Sequence, residues 1–168
     1  MPHPSAQDET FAAFVAATAP MARRLALRMM GGDVAAAEDV VQNAFVRAHD
    51  KFGSVQREEA REAWFRRIVA RQALNQMRWL AVRRRVTQLA GFDDHQPPAP
   101  IRDAGAAAQI AAAVAALSPH QRAVFVLVHM EEQTVAEAAE QLGMAEGTAK
   151  SHLHRALSAL RTRLQDLR

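Results

Sequence analysis

Residues 134–157 read TVAEAAEQLGMAEGTAKSHLHRAL, and this stretch decides the fold. Thr134 followed three residues later by Glu137 is the pattern in which two side chains reciprocally satisfy the free N–H groups of a helix start. Val135, Ala138, Ala139 and Leu142 then recur at i, i+3, i+4 and i+7, one face of an α-helix. Gly143 suits the left-handed residue that stops it. A second helix is expected from about Ala145 to Leu167, with Ala149, Leu153, Leu157, Leu160 and Leu164 as its buried stripe. Helix, short glycine turn, helix is the helix-turn-helix arrangement.

Working outward, Ser118-Pro119-His120-Gln121 marks another helix start, with a capping Ser, Pro at the first helical position and Gln at the third. The run Val124-Phe125-Val126-Leu127-Val128 has the β-propensity of a buried strand, but the cap just upstream decides for helix. An alanine-rich helix from Ala106 to Leu117 precedes it. Between Thr87 and Gly105 periodicity collapses into TQLAGFDDHQPPAPIRDAG, which reads as a linker. In the first half, Phe11, Phe14, Val15 and Thr18 begin a stripe that Met21, Leu25 and Met29 continue past Pro20, and Gly31-Gly32 ends it. Asp33 is placed to cap a second helix carrying Ala37, Val41, Ala44, Phe45, Ala48 and Phe52. A third, from about Glu58 to Arg85, carries Phe65, Ile68, Val69, Ala73, Met77 and Leu80. The expected fold is all-α: a helical bundle over 1–86, a linker over 87–105 and a helix-turn-helix domain over 106–168.

Composition narrows the function. The chain has 168 residues, no cysteine, and 21 Lys and Arg against 18 Asp and Glu. Thiolate metal sites, disulfides and thiol nucleophiles are therefore excluded. No stretch approaches the roughly 18 apolar residues of a membrane span, and the N-terminus has no basic segment leading into an apolar run. A cytoplasmic, soluble protein without membrane insertion is expected. His152 and His154 lie two apart on a helix and cannot share a metal as an i, i+4 pair could. No Gly-rich phosphate loop and no grouped nucleophile and base occur. The expectation is no catalytic residue, metal, cofactor or small-molecule substrate.

Charge is distributed unevenly. From Ala63 to Arg85 there are seven arginines and no acid, whereas Asp33, Glu38 and Asp39 fall in a stretch without a base. Trp64, Arg67, Arg71, Asn75 and Arg78 share one strip of the third helix, at steps of 3, 4, 4 and 3. Such a strip suits melted DNA, because an aromatic ring stacks on bases, an amide reads an edge and guanidinium groups neutralise phosphate. Equally open is a structural arrangement with Trp64 in the core and the arginines solvated. On the last helix Ser151, Arg155, Ser158 and Thr162, flanked by Lys150 and His154, point away from the apolar stripe, where a second helix of this motif meets the major groove. The second helix turns Asp39, Gln42, Asn43 and Val46 outward, a surface suited to a protein contact.

These segments resemble the extracytoplasmic-function family of RNA polymerase sigma factors. Ala36-Ala37-Glu38-Asp39-Val40-Val41-Gln42-Asn43-Ala44-Phe45-Val46-Arg47 is similar to the family's polymerase-binding motif. Trp64-Phe65-Arg66-Arg67-Ile68 and Ala73-Leu74-Asn75-Gln76-Met77-Arg78 resemble its helix for the minus-ten promoter element. Leu117-Ser118-Pro119-His120-Gln121-Arg122 and the run from Gly143 to Ala156 resemble its fourth region. The resemblance covers about Phe11 to Leu164. It implies core RNA polymerase and promoter DNA as partners, with Asp39, Gln42, Asn43 and Val46 on polymerase. It implies Trp64, Arg67, Arg71, Asn75 and Arg78 at the minus-ten element, and Thr148, Lys150, Ser151, His154 and Arg155 at the minus-thirty-five element. It also implies an anti-sigma partner.

This chain departs from the family at Arg71, where Asn is frequent, so its minus-ten preference does not carry over, and variation at His154 leaves minus-thirty-five specificity open. The family's base-capturing loop corresponds to about Gly53–Glu62, which has no diagnostic residue here. Two other readings compete: a sigma-like decoy that sequesters an anti-sigma factor, and a plain helix-turn-helix repressor. A decoy has no need of the two basic strips, and a repressor has none of the first half.

Overall fold

The computed structural model describes residues 6–55, 57–90 and 105–165. Its elements are α1 (Ala6–Met29), α2 (Val34–Lys51) with a terminal 3₁₀ turn (Phe52–Ser54), α3 (Glu58–Leu89), α4 (Ala106–Ala115), α5 (Pro119–Phe125) running into a π-helical turn (Val126–Met130), α6 (Val135–Leu142) and α7 (Glu146–Gln165). Among the described residues there is no strand. The Val124–Val128 run is helical, as its cap required, although the second part winds as a π-turn.

Local chemistry sets the boundaries. The Asp33 carboxylate accepts from the Ala36 N–H at 3.0 Å and opens α2. Thr134 Oγ1 accepts from the Glu137 N–H at 3.2 Å while Glu137 Oε2 accepts from the Thr134 N–H at 2.8 Å, the reciprocal cap of α6. Ser118 N–H donates to Gln121 Oε1 at 3.3 Å at the start of α5. Gly143 closes α6 at φ +70°, a left-handed conformation that costs a side-chain-bearing residue on the order of 1 kcal/mol.

The structure departs from the sequence reading at the end of α3 and on the buried side of α7. α3 continues through Leu89 into the expected linker, because that stretch holds helix formers until Gly91; Val82, Val86 and Leu89 stand exposed on it. The remainder of the expected linker, 91–104, and the last residues of the expected final helix, 166–168, lie outside the described residues. α3 begins at Glu58, as expected, so the part of the family's loop segment from Glu58 to Glu62 is helical here. On α7, Ala156 is buried and Leu157 is exposed. Steps of seven and four from Ala149 through Ala156 to Leu160 stay on one line of the helix, whereas Leu157 drifts off it.

α1, α2 and α3 pack around aromatic rings. Phe65 is fully buried, stacked on Phe45 at 4.5 Å between centroids and edge-on to Phe14 at 5.3 Å; Phe52 and Phe11 complete the cluster. α4 to α7 pack around Val114, Leu117, Val124, Leu127, Leu142 and Leu160. The two groups form one continuous buried cluster, with α5 and α6 seated on α3.

Candidate nucleic-acid and protein interfaces

α6 and its capped start fix α7 so that one side is anchored by Ala149, Ala156 and Leu160 and the other faces water. Thr148, Lys150, Ser151, His154 and Arg155 are all exposed there, and the last four line one shallow hollow. Lys150 pairs with Glu146 at 2.7 Å, one turn earlier, an exposed pair worth only about 0.3–0.5 kcal/mol and easily exchanged for a phosphate. Ser151 Oγ donates to Gly147 O at 3.0 Å. His152 turns inward and stacks on His120, centroids 5.2 Å apart. Burial and then the neighbouring Arg155 charge lower the His152 pKa; burial, His152 and Arg78 lower that of His120. Their neutral forms are thus favoured, and His154 is the outward histidine of the pair.

On α2, Asp39, Gln42, Asn43 and Val46 are exposed, Val46 by 63%. The opposite side is held by Val40, Val41, Ala44 and Ala48 in the core. Asp39 and Asn43 line a hollow together with Asp33, Gln76, Trp79 and Arg83, so the α2 face continues across onto α3. The Arg83 guanidinium lies over the Trp79 ring, 5.3 Å from its centroid. Sequence reasoning did not place Gln76 and Trp79 on this face, and took Arg83 only as an extension of the basic surface with Arg84 and Arg85. The available signal was a Trp one residue beyond Arg78, off the helix's apolar stripe.

The strip on α3 is arranged differently from a freely solvated surface. Trp64 is half-buried with its ring against Phe14 at 6.5 Å, which makes it part of the core's edge. Arg67 pairs with the Glu140 carboxylate of α6. Arg71 donates from Nε to Gln141 O at 2.9 Å and from Nη2 to Glu140 O at 3.2 Å, at the carbonyl-rich end of α6. Asn75 and Arg78 are exposed. The structure therefore brings Arg67 and Arg71 together against α6. Among the described residues there is no group of three or more His, Cys, Asp or Glu side chains able to hold a metal. No described helix is long and apolar enough to cross a membrane.

A three-helix unit followed by a helix-turn-helix unit is the two-part build of sigma-70-type factors. Residues 14–84 match the family profile described as Sigma-70 region 2, and residues 107–160 match Sigma-70, region 4. Among curated relatives, the ECF RNA polymerase sigma factor SigL of Mycobacterium tuberculosis is 37% identical over 148 residues, covering 86% of this chain and 82% of SigL. The RNA polymerase sigma-E factor of Streptomyces coelicolor is 32% identical over 142 residues, 82% of this chain and 76% of that protein. The sigma factor RpoE of Bartonella quintana, solved in complex with the anti-sigma factor NepR, has a TM-score of 0.66 at 26% identity and covers 94% of this chain and 98% of its own. This chain belongs to the extracytoplasmic-function family of RNA polymerase sigma factors.

Proposed function

We propose that the chain is an alternative sigma factor that binds core RNA polymerase through α2, reads the minus-ten element with α3 and the minus-thirty-five element with α7, and is restrained by an anti-sigma factor. It works without catalytic residues, metal or cofactor, and in the cytoplasm, where polymerase and promoters are. The observation that carries this reading is the α7 face: five polar or basic side chains, Thr148 to Arg155, point to solvent from the second helix of a helix-turn-helix unit within a sigma family chain. Lys150 and Arg155 supply positive charge to phosphate or a base edge, and Thr148, Ser151 and His154 supply shorter hydrogen-bonding groups. Asp39, Gln42, Asn43 and Val46 form the polymerase side, and Trp79 and Arg83 extend it across the hollow they share with Asp39 and Asn43. On α3, Arg67, Arg71, Asn75 and Arg78 meet the minus-ten strand, with Trp64 bracing the helix from its half-buried position.

Holoenzyme carrying Arg155→Ala tests the α7 assignment. If Arg155 makes a bidentate base contact, the substitution costs about 1–3 kcal/mol at the preferred promoter and blurs discrimination at one base position. Lys150→Ala weakens all promoter sequences alike and lowers the salt slope by about one unit if it touches phosphate. Promoter variants compared at several salt concentrations separate the two roles. Unchanged base preference and salt dependence in both variants would reduce this face to a solvated helix surface.

A further inference from the structure

The turn between α5 and α6 holds an acid that neither the polymerase face nor either DNA-reading face uses. The π-turn ends with the Glu131 N–H donating to Val126 O at 3.0 Å, and Glu132 follows at φ +56°, a left-handed conformation rare for a side-chain-bearing residue. This backbone sends the Glu131 side chain inward, where only 3% of it is exposed. Its Oε1 lies 2.6 Å from Arg28 Nη1 of α1, and its Oε2 lies 3.0 Å from Arg66 Nη1 of α3. Arg28 also donates to Met130 O at 2.5 Å. One carboxylate in the second half thus binds two helices of the first, 103 and 65 residues away in sequence.

The surrounding seam has the same direction. Arg122 of α5 donates to Met29 O at 3.3 Å. Gly31, at φ +68°, sits so close to α4 that a Cβ there would meet the Ala115 Cβ at 2.8 Å. Its lack of a side chain lets the two halves touch. A Cβ on Gly143 would lie 3.1 Å from Arg71 Nη2, so the α6 stop also makes room for the strip's arginine.

We propose that Glu131 is a latch that holds the free chain closed and withholds Arg67 and Arg71 from promoter DNA. The inference rests on the reading of α3 as the minus-ten helix. Each guanidinium can face either a DNA phosphate or the Glu140 carboxylate and α6 carbonyls, so closure and minus-ten binding exclude each other. The faces on α2 and α7 stay exposed in the closed form, so polymerase and minus-thirty-five DNA can engage it first. Removing the buried carboxylate costs the closed form, since Arg28 then keeps only the Met130 carbonyl and Arg66 only the exposed Glu62 carboxylate. Opening returns all three ions to water. It also hydrates Arg67 Nε and Gln141 Oε1, which are buried without a protein partner, and this keeps the closed state reversible.

The chain contains no cysteine, so probes can be placed singly at Asp50→Cys on α2 and Arg163→Cys on α7, both exposed positions. In the full free chain, Glu131→Gln should lengthen the distance between the probes and raise affinity for random-sequence single-stranded DNA by about tenfold or more. Assembled with core polymerase, the variant and the parent chain should bind that DNA alike. Glu140→Gln, at an exposed position that cannot endanger folding, should move both readouts the same way by a smaller factor and decides the matter if Glu131→Gln loses helical content. Unchanged distances in folded variants would overturn the latch. Longer distances without a gain in DNA binding would uphold the latch and instead overturn the assignment of α3 to the minus-ten strand.

Discussion

Gln42→Lys combined with Val46→Lys is expected to abolish association with core RNA polymerase while leaving helical content unchanged. Both side chains point to solvent from the middle of α2, and the helix is held by Val40, Val41, Ala44 and Ala48 on its other side, so neither substitution removes a core contact. Lysine is also a good helix former. The effect falls on the complex. Two ammonium groups would be pressed into an interface whose exposed Val46 offers apolar area and whose Asp39, Gln42 and Asn43 offer hydrogen bonds. Desolvating charges without partners costs several kcal/mol, on the order of a thousandfold or more in affinity. Co-purification with core polymerase and circular dichroism read the two halves of this expectation. Retained co-purification at unchanged helicity would remove α2 from the polymerase contact.

The second large effect is expected from Arg67→Ala with Arg78→Ala, measured in assembled holoenzyme. Charge-assisted hydrogen bonds contribute about 1.5–3 kcal/mol each, so losing two should lower open-complex formation on duplex promoter by about a hundredfold or more. On a template melted in advance the loss should be smaller, because strand separation no longer has to be stabilised by the protein. Holoenzyme matters here for a reason internal to the chain: Arg67 also pairs with Glu140, so in the free protein its removal loosens the closed form and binding of single strands changes for two opposing reasons. Equal loss on both templates would mark a general binding defect. No loss on either would remove the arginine strip from promoter opening.

Much of the architecture was legible in the chain because local signals agreed with one another. Thr134 with Glu137, Gly143, and Ser118-Pro119 with Gln121 bounded the helices of the second half, and those caps outweighed the β-propensity of Val124–Val128. Phe14, Met21, Leu25 and Met29 fell at helical spacing and all four are buried. What local periodicity could not convey was which helix lies over which. Trp64, Arg67, Arg71, Asn75 and Arg78 do share a side of α3, but whether that side meets water, DNA or protein depends on α6, about 70 residues further on. Spacing alone left two readings for this strip, and the structure divides it: Trp64 joins the core's edge, Arg67 and Arg71 meet α6, and Asn75 and Arg78 are exposed.

Glu131 illustrates the same limit. In sequence it is one of two acids between an apolar run and a helix cap, a pattern that describes solvated turns as well. Its burial arises from the π-turn, which adds a residue to the helical register and swings the side chain toward Arg28 and Arg66. No pairwise spacing of Glu131 with either arginine is short enough to show in a window of the chain. Leu157 failed for a smaller reason: a stripe read in steps of four drifts around a 3.6-residue helix, and Ala156 takes the inward place.

The central claim is that this chain directs RNA polymerase to promoters. Purified chain added to core polymerase with a library of genomic fragments tests it most directly, with transcripts mapped at their starts. The account predicts new transcripts that begin at defined positions and share two sequence elements upstream of the start, and that disappear with Gln42→Lys and Val46→Lys. Transcription no different from that of core polymerase alone, from a chain that is folded and still binds polymerase, would contradict it.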